Sequence, residues 1–363
     1  MNKILILGNS KLTVFGFRGE LIEQLIKNNY KVVVSFPNGP FGEGEEISKQ
    51  YNCKFIETKI ERRGKNPFND LKLLNKYIKI IKKEKPNMVL AFTVKCDIYG
   101  GIASRLLKVP FTPNITGLGK GLTEGKITKI ITKTLYKIAL KNSKCVFFQN
   151  EGDKQFFIDN HIYNKESIVL PGSGVNLDKF KLLPYPDDKI IRFIYVARVM
   201  KAKGIDEYLE AARILNKKYD NLEFHICGYC EEDYKSIIEE EQQKGNIIYH
   251  GLVDDVQKYE KECHCLILPS YHPEGISNVL LEAAAIGRPI ITTNRIGCKE
   301  TVNNNITGYL IKEKDSKDLI DKIEAFISLN NDDKKEMGLL GRKKIEKEYD
   351  RNIVVNEYIN LIY

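Results

Sequence analysis

Two stretches of this sequence carry residues whose types and spacing suit diphosphate and sugar chemistry. In Val196-Ala-Arg198-Val-Met-Lys-Ala-Lys203-Gly204 an apolar run ends in Arg198, and Lys203-Gly204 opens a helical pattern. Two cations fixed near a helix N-terminus make a diphosphate site, because the free N–H groups and the helix dipole add to the side chains. In Pro269-Ser-Tyr-His-Pro-Glu274-Gly275-Ile276-Ser277-Asn278-Val-Leu-Leu-Glu282-Ala283 a second apolar run ends in a turn and a helix follows, with Ser277 or Asn278 at its cap. Glu274 precedes that helix and Glu282 lies about two turns into it. If both were helical, they would stand roughly 12 Å apart along the axis. Acceptors so spaced suit the two ends of a nucleotide sugar, ribose hydroxyls at one and sugar hydroxyls at the other. Backbone N–H groups of Gly275, Ile276 and Ser277 would face phosphate between them.

The elements that must position these residues alternate along the chain. Short apolar strands expected at 4–7, 31–35, 88–92 and 145–148 are separated by amphipathic helices near 19–28, 70–84 and 126–141. The pattern restarts at 191–196 and continues with strands at 222–227, 247–249, 265–268, 289–292 and 308–311. Helices are expected there near 205–215, 232–243 and 277–286. Such alternation predicts an α/β fold of parallel sheets with helices on both faces. Gly and Pro punctuate Leu170-Pro-Gly-Ser-Gly-Val-Asn-Leu-Asp-Lys-Phe180, with Pro184 and Pro186 beyond, and mark a linker at 173–189. The expected organisation is a first domain over 1–172, a second over 190–345, and a closing helix over 346–363. Two such halves place a ligand cleft at the carboxyl ends of their strands.

A chain of 363 residues suits two domains. Lys and Arg outnumber Asp and Glu by 57 to 48, but unevenly: residues 1–172 hold 29 against 15, and the remainder 28 against 33. A charge confined to one half points to a local anionic partner, a nucleic acid or an anionic membrane surface. The helical pattern 126–141 repeats Lys126, Lys129, Lys133, Lys137 and Lys141 at three- and four-residue steps, with Ile127, Ile130, Ile131, Leu135 and Ile138 on another stripe. It reads as a basic amphipathic helix for an anionic leaflet, and aromatic interleaving for nucleic acid is lacking, Tyr136 standing alone. The short apolar start is too brief for a secretion signal, and no run approaches the ~20 apolar residues of a membrane span. The expectation is a cytoplasmic protein, peripheral on the inner face of the membrane. Cys227-Gly-Tyr-Cys230 and Cys263-His-Cys265 read as strand-end cysteines acting as small hydrophobes, so no metal is expected. Asp-x-Asp is missing from the sequence, as is a Gly-x-Gly-x-x-Gly after the first strand, which disfavours nicotinamide and flavin.

Taken together, Arg198…Lys203-Gly204 and Glu274-Gly-x6-Glu282-Ala resemble the donor site of the retaining glycosyltransferases of family 4, which have the GT-B fold. The segments Leu170–Phe180, His250-Gly251-Leu-Val-Asp-Asp-Val256 and Gly308-Tyr-Leu-Ile311 are similar to that family's other signatures, so the resemblance covers essentially the whole chain. It implies two Rossmann-like, doubly wound parallel-sheet domains facing across a cleft. Arg198 and Lys203 would then neutralise the donor diphosphate, Glu274 would orient the transferred sugar, and Glu282 would hold the ribose. Gly228, Tyr229 and Val253 would line the base pocket. The helix from Asn352 to Ile362 would return to the first domain.

The first half resembles a narrower group, the transferases that build bacterial surface glycans on polyprenyl diphosphate carriers. The carrying segments are Phe15-Gly16-Phe17-Arg18-Gly19-Glu20-Leu21, Thr93-Val-Lys95-Cys-Asp-Ile-Tyr99-Gly100 and Asn114-Ile-Thr116-Gly117-Leu-Gly119-Lys120. Arg18, Lys95 and Lys120 become candidates to meet an acceptor diphosphate, and Gly16 and Gly117 would allow close backbone approach. Thr116 stands where many members carry His, which suits a mechanism in which the donor phosphate takes the acceptor proton. The implied reaction moves a hexose or N-acetylhexosamine from a UDP-sugar to a lipid-linked glycan acceptor, with no cofactor and no metal. It would serve surface polysaccharide or glycoprotein glycan assembly. Two alternatives stand beside it: a UDP-sugar epimerase of the same fold, for which no catalytic carboxylate and His set is evident, and a non-catalytic basic scaffold that binds nucleic acid.

Overall fold

The computed structural model describes residues 2–39, 42–61, 66–230 and 234–362. The chain forms two compact units, Met1–Gly174 with Pro273–Gly275 and Arg351–Tyr363, and Val175–His272 with Ile276–Asp350. Seven parallel strands build the sheet of the first unit: β1 (Lys3–Leu7), β2 (Lys31–Phe36), β3 (Lys54–Glu57), β4 (Met88–Phe92), β5 (Phe111–Ile115), β6 (Val146–Phe148) and β7 (Ser167–Val169). Their order is β3-β2-β1-β4-β5-β6-β7. Ile4 of β1 pairs with Val32 on one side and Met88 on the other. The run Ile4–Leu7 is buried throughout, as expected of a strand covered on both faces. One face packs on Leu73, Tyr77, Tyr136 and Leu140, the other on Leu21, Leu25, Val354 and Tyr358. The helices that follow β1 and β4 each open with a π-helical turn, at Leu12–Gly16 and Cys96–Gly100.

The second unit has six parallel strands: β8 (Ile191–Val196), β9 (Leu222–Cys227), β10 (Ile248–Tyr249), β11 (Cys265–Leu268), β12 (Ile290–Thr293) and β13 (Gly308–Ile311). They run in the order β10-β9-β8-β11-β12-β13. In both sheets the strand order reverses once, between β1 and β4 and between β8 and β11. Open α/β sheets leave a ligand crevice at such a reversal, beyond the carboxyl ends of the strands. Arg198 follows β8, and the Pro269–His272 segment follows the neighbouring β11. In the first unit the Lys95 segment follows β4 and the Thr116–Gly117 segment follows β5. Each candidate stretch therefore begins where a strand stops.

The helix expected over 277–286 runs Asn278–Ala285, so Glu274 lies in the preceding loop and the helical-rise spacing to Glu282 does not apply. The helix expected at 232–243 is described as Lys235–Gln243, and its expected start lies outside the described residues. The sequence reading passed over β3, β5 and β7. The final helix, Arg351–Ile362, packs within the first unit, where Tyr358 stands against Phe92 and Phe147.

Candidate functional site

In the second unit two hydrogen bonds fix the backbone of the Arg198 loop. The Val199 amide donates to the Tyr229 carbonyl at 2.9 Å, and the Tyr195 hydroxyl donates to the Arg198 carbonyl at 3.1 Å. Gly228 makes this possible. Its φ is 147°, and a Cβ there would lie 1.8 Å from the Ala197 carbonyl oxygen, so a side chain would push the loop away. The Gly228 amide donates to Gly251 O at 2.7 Å, and the Tyr249 hydroxyl donates to Gly228 O at 2.8 Å. Those bonds join the segment carrying Gly228 and Tyr229 to the one carrying Val253. Next to them the imidazoles of His225 and His250 stack, with Nδ1 and Nε2 2.9 Å apart. Burial lowers both from the ordinary histidine value, and Glu223, 3.2 Å from His225 Nε2, opposes the shift of that ring.

The Arg198 guanidinium reaches Nε2 of His272 at 3.4 Å, a partner that its position after β11 could have suggested. Lys203 ends a short 3-10 turn, and Gly204 follows in the left-handed region at φ 78°, with the Ile205–Leu215 helix beyond. Ser277 occupies the cap position of the Asn278–Ala285 helix without a side-chain cap bond. Its amide donates to Gly297 O at 2.8 Å, so this N–H is not one of those available to a phosphate. Asn278 is half-buried, and its Oδ1 is a buried acceptor with no hydrogen-bond partner. Ile276 is buried and Glu282 half-buried. Glu282 has a carboxyl neighbour that the sequence reading missed, Glu260. Burial first, and then the Glu282 charge, push Glu260 up to about 8. Cys227, Cys263 and Cys265 are buried free thiols.

Glu274 and Gly275 lie in the first unit. The Gly275 carbonyl accepts from Asn150 Nδ2 at 2.9 Å, and a Cβ on Gly275 would lie 2.2 Å from Gln149 Oε1. Gly117, at φ 123°, approaches the same loop so closely that a Cβ on it would lie 3.1 Å from the Gly275 nitrogen. Thr116-Gly117 and Glu274-Gly275, remote in sequence, thus meet backbone to backbone. Asn150 also caps the Glu151–Asp159 helix through Asp153 N at 2.7 Å. An Asn at a strand end followed by Glu-Gly-Asp is a capping signal that could have marked it.

The three cations expected at an acceptor diphosphate have different settings. Arg18 is 2% exposed, its guanidinium 4.4 Å over the Phe92 ring and donating to Phe17 O and Ser173 Oγ. Burial lowers it to about 10. Gly16, just before it, gives its carbonyl to Arg351 at 3.0 Å. Lys95 pairs with Asp70 at 2.7 Å on the wall of a cleft of about 700 Å³, which Lys59, Lys72 and Lys76 also line. Lys120 is exposed and sits 3.7 Å from Glu124. Asp97, two residues after Lys95, is fully buried, neither carboxyl oxygen having a hydrogen-bond partner, and burial raises it well above the carboxylate range.

The chain, with two parallel α/β units whose strand order each reverses once, matches known proteins along its length. The model for glycosyl transferases group 1 matches residues 176–344, and the glycosyl transferase 4-like model matches residues 3–150. The chain is 30% identical over 359 residues to the capsular polysaccharide biosynthesis glycosyltransferase CapM of Staphylococcus aureus, covering 94% of this chain and 91% of that one. A Campylobacter jejuni N,N'-diacetylbacillosaminyl-diphospho-undecaprenol alpha-1,3-N-acetylgalactosaminyltransferase is 25% identical over 377 aligned positions, covering 99% and 98% of the two chains. Among solved structures, Anabaena HepE in complex with UDP and glucose superposes with a TM-score of 0.79 at 16% identity, over 99% and 98% of the chains. The chain therefore belongs to the group 1, family 4-like glycosyltransferases and has their GT-B fold of two parallel α/β sheets.

Proposed function

We propose that this enzyme is a retaining transferase that moves a hexose or N-acetylhexosamine from a UDP-sugar to a glycan on a polyprenyl diphosphate carrier, in bacterial surface glycan assembly. The observation that carries the reading is the β8/β11 strand reversal, where the Arg198 loop and the Pro269–His272 segment start from neighbouring strands and Arg198 meets His272 at 3.4 Å. The relatives support the substrate classes: the Campylobacter jejuni protein's name specifies a diphospho-undecaprenol acceptor, and the Anabaena structure holds UDP and glucose.

In this reading Arg198 and Lys203 stabilise charge as it develops on the leaving diphosphate, which fixed cations in a preformed site do without reorganising. Asn278 Oδ1 and Glu282 accept from the nucleoside, and Glu274 orients the sugar. The acceptor hydroxyl oxygen bonds to the anomeric carbon on the face the nucleotide leaves. The bond from that carbon to the diphosphate oxygen breaks, and the hydroxyl proton passes to the departing UDP. Thr116 offers no base, consistent with that route. No metal is required, since the missing Asp-x-Asp leaves the charge to Arg198 and Lys203. The acceptor places the work at an anionic membrane surface, with the basic first unit toward it, and among the described residues no helix is long and apolar enough to cross a bilayer.

Thermal stabilisation by a panel of nucleotide sugars identifies the donor, followed by kinetics of two variants. Glu274→Ala should lower mainly kcat, because its contact belongs to the reacting sugar, and Glu282→Ala should weaken mainly donor affinity. Near-normal turnover in both would remove the proposed donor pose.

A further inference from the structure

The helix Lys126–Leu140 presents a surface that sugar transfer does not use. Its buried side is Thr132, Tyr136, Ala139 and Leu140, with Tyr136 set edge-on to Phe157 at 5.2 Å. On the other side Ile127, Ile130, Ile131 and Ile138 are 75%, 65%, 54% and 39% exposed. They recur at three-, four- and seven-residue steps, so they form one apolar stripe turned to solvent. Lys126, Lys137 and Lys141 stand exposed beside it. The sequence pattern sets lysines in water as the helix's outward signature, yet two of them turn to neighbours. The Lys129 ammonium lies 5.3 Å from the Phe156 ring centroid, and Lys133 donates to Asn160 Oδ1. The outward face is therefore isoleucine edged with lysine. Contiguous exposed apolar surface of this kind marks an interaction site.

We infer that this stripe inserts into an anionic lipid leaflet, with the isoleucines below the headgroups and Lys126, Lys137 and Lys141 among them. The inference rests on the proposed lipid-linked acceptor, and it deepens that reading by naming the face that meets the bilayer. Charge selects the occupant. A second copy docked on this face would oppose lysine with lysine, whereas an anionic leaflet supplies both apolar depth and negative charge. A helix of 15 residues spans roughly 22 Å, less than a hydrocarbon core, so it lies in the plane of the interface.

The sequence contains no tryptophan, so Ile130→Trp places a single fluorescent reporter on the stripe. With vesicles of phosphatidylglycerol and phosphatidylcholine its emission should shift to the blue and be quenched by brominated acyl chains. Emission unmoved by vesicles would overturn the inference. In the otherwise native chain, Ile127→Gln with Ile131→Gln should lower co-sedimentation with these vesicles by at least about tenfold, since each buried isoleucine contributes about that factor. Both positions are exposed, so the thermal melt should be unchanged. Binding of the native chain should weaken but persist at high salt, because insertion is not screened. Equal sedimentation of the double variant, or loss of a dimer on substitution, would refute insertion. Transfer to a short water-soluble acceptor separates the two readings. Transfer retained with no lipid contact removes the insertion alone, and lipid contact with no transfer from any donor removes the proposed reaction.

Discussion

Replacing Glu260 by Gln should stabilise the protein increasingly as pH rises. Glu260 ends the short Gln257–Glu260 helix, is 2% exposed, and is pushed up to about 8 by burial and then by Glu282. Arg288 opposes the shift, but its guanidinium donates to the backbone carbonyls of Glu260, Lys261, Ile286 and Pro184 at 2.8–3.3 Å, so those donors are committed elsewhere. In the unfolded chain a glutamate titrates near 4.3. Below that value the carboxyl is protonated in both states and costs nothing. Between about 4.3 and 8 the folded state keeps a proton that the unfolded state has released, so stability falls with pH. At 1.36 kcal/mol per unit the loss reaches at most about 5 kcal/mol and is constant above pH 8. Gln matches the volume of the neutral acid and removes this dependence. Urea unfolding at pH 5 and pH 8 should show a small difference between variant and native chain at the lower pH and a gain of up to about 5 kcal/mol at the higher. Donor affinity of the native chain should also decline above pH 8, where Glu260 becomes a second anion beside Glu282, and the variant should lack that decline. A difference that does not grow with pH, or a variant less stable at pH 8, would refute the reasoning.

Gly228→Ala should cost about 2–4 kcal/mol of stability and weaken donor binding, because its Cβ would overlap the Ala197 carbonyl and displace the Arg198 loop. Gly245→Ala, also left-handed at φ 74° but with open space around it, should cost only about 1 kcal/mol, and equal losses in the two would sink the steric argument. Transfer activity should survive a chelator, and complete loss restored by Mg²⁺ or Mn²⁺ would reverse the assignment of the diphosphate to Arg198 and Lys203.

The second sheet could be read in the sequence because its strands are apolar runs with little to confuse them, such as Ile191–Val196 and Cys265–Leu268. In the first sheet the same rules passed over β5, whose centre is Pro113. That residue lacks an N–H and argues against an interior strand, yet it sits opposite Ala91, and pairing with β6 begins only at Asn114. Local pattern also could not anticipate partners supplied from far along the chain. Gln149, Asn150 and Gly117 hold the Glu274–Gly275 loop from more than a hundred residues away, and Ser173 and Phe92 take up Arg18 in the core. Glu260 was invisible for the same reason, since nothing in Tyr-Glu-Lys-Glu-Cys distinguishes a buried carboxyl from a solvated one.

The Lys126–Leu140 helix shows where periodicity stops being informative. A 3.6-residue repeat identifies which side chains share a face, and the lysine and isoleucine stripes were legible on that basis. Which stripe turns inward depends on what the neighbours offer. Here Tyr136 and Leu140 fill the space over the sheet, while Phe156 and Asn160 on the next segment receive the charged ends of Lys129 and Lys133. A lysine can lie along such a surface because its methylene stem is apolar and only its tip needs a polar or aromatic partner. Isoleucine has no comparable compromise in water. A fold that seats Lys129 and Lys133 toward neighbours and leaves four isoleucines outward gives the proposed lipid contact its apolar face, while the exposed Lys126, Lys137 and Lys141 beside it supply the preference for an anionic surface.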